Sequence, residues 1–278
     1  MKKTCVYLRR AALGLPPTLA VAVMMVTATA APQPSPSTAP PPDLFFDDFN
    51  GAKLDAAVWK VPALRPTETP VFEVKDGKLL VHYNTYKPDG SGQVTTYAPV
   101  MSSAARFGPG ATGNRKGLEF EARLRVLEPP PGLNAAFFLQ EEEKDSPDGP
   151  DEVDFELLTK ARNKVWLNTF NGLKSGVWGS WAAPGDDFDM RQWNTYTVRW
   201  NEDNRVQWFI NGREVRPFAA FNPPDEAMRL KFTYWKPQKE WDEAYHPQLD
   251  DKGVKTPAEN VRFTMEVDWV RVRPLTAN

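Results

Sequence analysis

One stretch constrains this chain more than any other. In Glu152-Val153-Asp154-Phe155-Glu156-Leu157-Leu158 polar and apolar side chains alternate, which is the period of a half-buried β-strand. Successive side chains on a strand point to opposite faces. Val153, Phe155 and Leu157 therefore face a core, and Glu152, Asp154 and Glu156 line the other side.

The rest of the chain has the same character. Long helical periods are absent, and short alternating runs are separated by Gly, Pro, Asn and Asp. Val71–Lys75 and Lys78–Tyr83 flank Asp76-Gly77, a strong hairpin signal. Gly117–Val126, Ala135–Gln140 and Lys164–Phe170 predict further strands. Tyr196–Trp200 and Arg205–Ile210 flank a turn at Glu202-Asp203-Asn204, and Asn211-Gly212 marks another turn. Met228–Trp235 and Phe263–Val272 predict the last strands. Many short strands at this spacing imply an all-β sandwich of two sheets.

The three acids carry chemistry if their faces are as predicted. Along a strand the Cα atoms of Glu152 and Glu156 lie roughly 13 Å apart. Two glutamates leaning toward each other can bring their carboxyls to about 5–5.5 Å, the separation used by retaining glycosidases. Like charges this close repel, so at least one acid is expected to hold its proton at neutral pH. A protonated acid beside an ionised one is the pair that glycoside cleavage uses. The spacing alone is equally compatible with a solvated strand face, and clustered carboxylates also bind calcium.

Several function classes are excluded by composition. Lys2, Lys3, Arg9 and Arg10 precede an apolar run from Ala11 to Thr29, and Ala28-Thr29-Ala30 is a small-x-small cleavage site. Residues 1–30 thus read as a secretory signal peptide. Residues 31–42, with Pro32, Pro34, Pro36, Pro40, Pro41 and Pro42, read as an extended linker. Residues 43–275 remain for one folded domain. Cys5 is the only cysteine and leaves with the leader, so disulfides, thiolate metal sites and cysteine nucleophiles are excluded from the mature protein. The net charge of -2 comes with no basic patch, which argues against nucleic acid or anionic membranes as partners.

The chain carries 10 tryptophans. Trp59, Trp200, Trp208 and Trp269 sit in strand patterns and are expected in the core or against a sheet. Trp178 and Trp181 lie among glycines, and Trp235 and Trp241 lie at or beyond a strand end. For these four, packing and stacking on sugar rings are both open.

Read together, these motifs resemble glycoside hydrolase family 16 over nearly the whole mature domain. The resemblance rests on Asp47-Asp48-Phe49-Asn50-Gly51 with Leu54-Asp55 and Trp59, and on Glu152-Val153-Asp154-Phe155-Glu156, which matches the E-x-D-x-E catalytic motif. It continues through Tyr196–Trp200 with Val206–Gly212 and closes on Phe263–Val270. It implies a concanavalin-like β-jelly-roll sandwich of two curved antiparallel sheets with a cleft on the concave face. It implies Glu152 as nucleophile, Glu156 as general acid/base and Asp154 as the residue that tunes both, with no cofactor needed for catalysis. The motif lacks the extra residue typical of laminarinases, agarases and carrageenases. That unbulged form is typical of lichenases, xyloglucan transglycosylases and fungal cell-wall transglycosylases.

The same comparison places Trp166, Asn168, Phe170, Trp235 and Trp241 at or near the cleft, and Trp178 and Trp181 join them as substrate candidates because rings set among glycines suit stacking on sugars. The comparison also places a structural calcium at Asp268 and the backbone of Gly77. The sequence also departs from the lichenase pattern. Ala98-Pro99-Val100-Met101-Ser102 lacks the Glu-x-Arg charges, Pro150 replaces a Trp, and Thr233 replaces an Asn. Tyr245–Asn260 is an insertion expected to form a lip at one end of the cleft. The expectation is a secreted or periplasmic monomer that hydrolyses β-1,3-1,4- or β-1,3-linked glucan with retention. A transglycosylase on xyloglucan or another β-glucan and a non-catalytic lectin-like module are the alternatives.

Overall fold

The computed structural model describes residues 42–62, 71–86, 99–108, 117–142, 149–172, 179–203, 205–216 and 224–275. The expected leader, and all of the linker but Pro42, lie outside them, as does Trp178. The described elements are fifteen strands and two short 3-10 turns, Pro247–Leu249 and Pro257–Glu259.

One sheet contains β1 (Phe45–Asp47), β3 (Phe72–Val74), β4 (Leu79–Asn84), β6 (Gly117–Leu127), β11 (Asn194–Asn201), β12 (Val206–Ile210), β13 (Arg213–Arg216) and β15 (Arg262–Pro274). Its order is β13-β12-β11-β6-β15-β4-β3, with β1 pairing beside β4 on β15. The other contains β2 (Trp59–Lys60), β5 (Val100–Ser103), β7 (Asn134–Gln140), β8 (Glu152–Leu158), β9 (Val165–Phe170), β10 (Ser180–Ala182) and β14 (Arg229–Trp235). Its order is β10-β9-β8-β7-β14-β5-β2. All the pairings within both sheets are antiparallel. This is the expected all-β jelly-roll sandwich.

Local chemistry sets the hairpins. Asp76 and Gly77 have φ of 52° and 67°, and Asn211 and Gly212 have φ of 51° and 78°. Two successive positive φ values make the tight turn whose twist suits paired strands. Between the sheets the inward side chains form one core. Phe137 stacks with Phe155 at 6.3 Å and with Phe232 at 5.4 Å, and Phe155 meets Tyr196 edge-on across the sheets at 5.3 Å. Val153, Phe155 and Leu157 are fully buried, as the alternation of β8 requires.

Trp59, Trp200 and Trp208 are core residues. Trp269 is not part of it: it is half-exposed with the Arg271 guanidinium over its ring. A register shift between Val267 and Trp269 inserts Asp268 as an extra residue, so two consecutive side chains leave the core between Val267 and Val270. The outer face of this sheet is a lattice of ion pairs. Glu119 takes both Arg199 and Arg273, Glu121 takes Arg271, and Glu266 takes Arg125.

Candidate active site

β8 lies inside its sheet, with β7 on one side and β9 on the other. Its pairing with both runs in continuous register, so the unbulged spacing of the acids is a property of the folded strand. Directly paired residues share a face. Gln140 and Ala136 of β7 therefore stand beside Glu152 and Glu156. Phe170, Asn168 and Trp166 of β9 stand beside Glu152, Asp154 and Glu156 respectively. One strand further out, Trp181 pairs with Trp166. On the other flank, Lys231, Thr233 and Trp235 of β14 stand opposite Phe138, Ala136 and Asn134 of β7. The face opposite the core is thus one surface with the three acids at its middle.

The acids are held differently. Asp154 is 2% exposed, and its proton affinity is raised well above the usual carboxylate range. Burial is the main cause, followed by the charges of Glu152 and Glu156. Its backbone carbonyl accepts a bond of 3.0 Å from the indole of Trp208, which reaches over from the other sheet. Glu156 is pushed up to about 8, by burial first and by Glu152 second. Asn134 Nδ2 donates to its Oε1 at 3.0 Å, while Oε2 is buried with no protein donor or acceptor. Glu152 accepts a short bond from Gln140 Nε2, and Lys231 Nζ donates to Gln140 Oε1 at 2.6 Å. Chemically this is a carboxyl that keeps its proton beside one that receives donors.

Aromatic walls flank the Glu156 end. The rings of Trp166 and Trp181 meet edge-on with centroids 5.4 Å apart, and Trp166 lies on the backbone of Gly179. Trp235 and Trp241 face each other at 6.2 Å. The insertion after Trp241 is tied down nearby, with Lys236 bonded to Asp250 at 2.7 Å and Lys160 Nζ donating to the carbonyl of Asp242 at 2.5 Å. At the Glu152 end, Asp151 is buried and joins three segments. Its carboxylate accepts from the backbone N–H groups of Gly172, Asp225 and Glu226, at 3.2, 2.7 and 3.1 Å.

The pair expected to hold calcium lies in the other sheet. Val267 pairs with Leu79, which sets Asp268 alongside the Asp76-Gly77 turn. The Asp268 carboxylate is ion-paired with Arg123. Among the described residues no group of three or more His, Cys, Asp or Glu side chains could hold a metal. Asp268 in this state fits a cation poorly, because the guanidinium already neutralises it.

Sequence reasoning placed the three acids, Trp166, Asn168, Phe170, Trp181, Trp235 and Trp241 on or beside one surface, and the structure brings them together. It did not single out Asn134, Gln140 or Lys231. A signal existed for Lys231: in Leu230-Lys231-Phe232-Thr233-Tyr234 two polar residues alternate with buried apolar ones, marking a strand whose second face looks onto something polar.

Comparison with known proteins gives matches at the level of family and fold. Residues 88–271 match the family model described as glycosyl hydrolases family 16. The chain is 31% identical over 136 residues to endo-1,3-1,4-beta-glycanase ExoK of Rhizobium meliloti (strain 1021), a match covering 49% of this chain and 46% of that protein. The chain therefore spans about half the length of this curated relative. Two solved structures share the fold. A β-1,3-1,4-glucanase (lichenase) from a mouse hindgut metagenome superposes with a TM-score of 0.58 at 19% identity, over 83% of this chain and 99% of the other. The laminarinase catalytic domain of Thermotoga maritima superposes with a TM-score of 0.62 at 13% identity, over 86% and 100%.

Proposed function

Since the chain belongs to glycosyl hydrolases family 16, we propose that it is a retaining endo-β-glucanase in which Glu152 is the nucleophile and Glu156 the general acid/base. The observation that carries this reading is the contrast between the two glutamates on one face of β8. Glu156 holds its proton up to about 8, and Glu152 receives an amide donor. In the first step a Glu152 oxygen attacks the anomeric carbon. The glycosidic C–O bond breaks, its electron pair stays on the leaving oxygen, and Glu156 gives that oxygen its proton. In the second step water attacks the anomeric carbon of the glycosyl ester, gives a proton to Glu156, and Glu152 departs as a carboxylate. Asp154, protonated between the two, keeps a third charge out of the cluster. Trp166, Trp181, Trp235, Trp241, Asn168 and Phe170 are the surface on which the sugar rings rest. No step needs a metal.

The substrate proposed is a β-1,3-1,4- or β-1,3-linked glucan. The β-1,3-1,4 form is the one supported by the unbulged register of β8 and by the name of the curated relative. Hydrolysis of barley glucan, laminarin and xyloglucan tests it. One of the first two should be cut to oligosaccharides whose new reducing ends first appear as the β-anomer. Glu152→Gln should lower the rate at least about 1,000-fold. No cleavage of any β-glucan would refute the activity, an α-anomer would refute retention, and products longer than the substrate would redirect it to transglycosylation.

Export is proposed as well, on the charged start, the apolar run and Ala28-Thr29-Ala30. The secreted or periplasmic protein should begin at Ala31 by N-terminal sequencing, and retention of residues 1–30 would refute this. A polysaccharide partner and a monomeric state complete the proposal.

A further inference from the structure

We propose that Lys231 and Gln140 are positioning residues that fix which of the clustered carboxyls carries the negative charge, by locking Gln140 so that it presents a donor to Glu152. The inference rests on the reading of Glu152 as nucleophile.

Gln140 is the direct cross-strand neighbour of Glu152. Lys231 stands on β14, one strand further, at the level of Ser102 on β5 and Phe138 on β7. It is only 8% exposed, so its ammonium has left most of its water and needs acceptors. Its Nζ donates to Gln140 Oε1 at 2.6 Å, and Gln140 Nε2 donates to Glu152 Oε2.

A carboxamide has one accepting end and one donating end, and a lysine ammonium can only donate. The oxygen of Gln140 must therefore face Lys231, and its NH2 must face Glu152. An NH2 is a good partner for an ionised carboxylate and a poor one for a protonated carboxyl. Rotating the amide by half a turn would reverse that preference. It would also put the NH2 against the ammonium, which Lys231 forbids. The cation thus acts at a distance through one amide.

The groups facing Glu152 make this choice necessary. Asp154, whose carboxyl is hydrogen-bonded to Glu152, and Glu156 follow it along its own strand, and both compete with it for protons. β9 offers only Phe170 at this level. From β14 the cations are Lys231 and Arg229, and Arg229 is ion-paired with Glu142 just beyond β7. Lys231 also lowers the proton affinity of Glu142, as does Lys60. Arg229 is thus matched by its own acid, and Lys231 is the cation wired to Glu152.

The test uses the mature protein and three variants, Lys231→Met, Lys231→Arg and Gln140→Leu. With Lys231→Met the acidic limb of the kcat/KM against pH profile should move up by about one pH unit, with KM changed less than twofold. Lys231→Arg should restore the wild-type limb. Gln140→Leu should move the limb the same way and lower kcat roughly tenfold or more. An unmoved limb in a folded Lys231→Met protein would overturn the proposal. So would a limb that moves equally in Lys231→Arg. A second readout is independent of activity. The 13C-NMR titration of the Glu152 carboxyl, assigned by its absence in Glu152→Gln, should shift to higher pH in Lys231→Met. It should not shift if the relay is wrong. If the wild type cleaves no glucan, this titration still decides the relay, so the two failures are distinguishable.

Discussion

Glu156 is asked to do two incompatible things, to be buried and to be an acid. An ordinary glutamate ionises near 4.5, whereas this one holds its proton to about 8. Between those values the folded state binds more protons than the unfolded chain, so stability falls as pH rises. The full stability is present below 4.5 and is lost progressively by about pH 8. Glu156→Gln keeps the shape and an acceptor for Asn134 and removes the ionisation. It should abolish turnover of glucan while raising stability by an order of a few kcal/mol at pH 8 and by little at pH 4.5. Each kcal/mol is worth about 2–4 °C in Tm for a domain of this size, and melting curves at the two pH values check it. At this scale the sequence revealed the acids but not their partners. Asn134 opens an apolar strand and Gln140 ends it. Nothing in that run says which glutamate each will meet, because the meeting depends on register between strands.

The strands divide by how much pattern they contain. β8, β6 and β15 are long enough for the alternation to be counted, and each appears within a residue or two of its expected span. β1, β2, β5, β10 and β13 were not foreseen. β2 has only two residues, β10 lies among glycines, and β13 is a polar edge strand. Each is held by its neighbour in the sheet rather than by its own composition. The bulge at Asp268 could not be read either, since one inserted residue leaves no mark in composition. The short β10 nevertheless matters to the site. A Cβ added to Gly179, which precedes it, would stand 2.3 Å from the Trp166 ring. Gly179→Ala should push that ring out of place. It should raise KM by roughly 3–10-fold, equivalent to about 1 kcal/mol of lost ring contact, with kcat and Tm nearly unchanged. An unaltered KM in glucan kinetics would show that Trp166 does not touch substrate.

At the scale of the molecule, β15 is an inner strand of its sheet. Its first half is clasped between β4 and β6, and its second half between β1 and β6. Yet among the described residues it is the last strand. During synthesis β1, β4 and β6 emerge first, with a gap between them that no earlier described segment fills. We therefore predict that the nascent chain stays open until Arg262–Pro274 arrives and then closes in one late event. A chain stopped at Asn260 should remain sensitive to protease and inactive, and a peptide covering Val261–Leu275 supplied separately should restore resistance. Protection of the truncated chain without the peptide would show that the sheet can close by itself. A sheet built this way has its keystone delivered last.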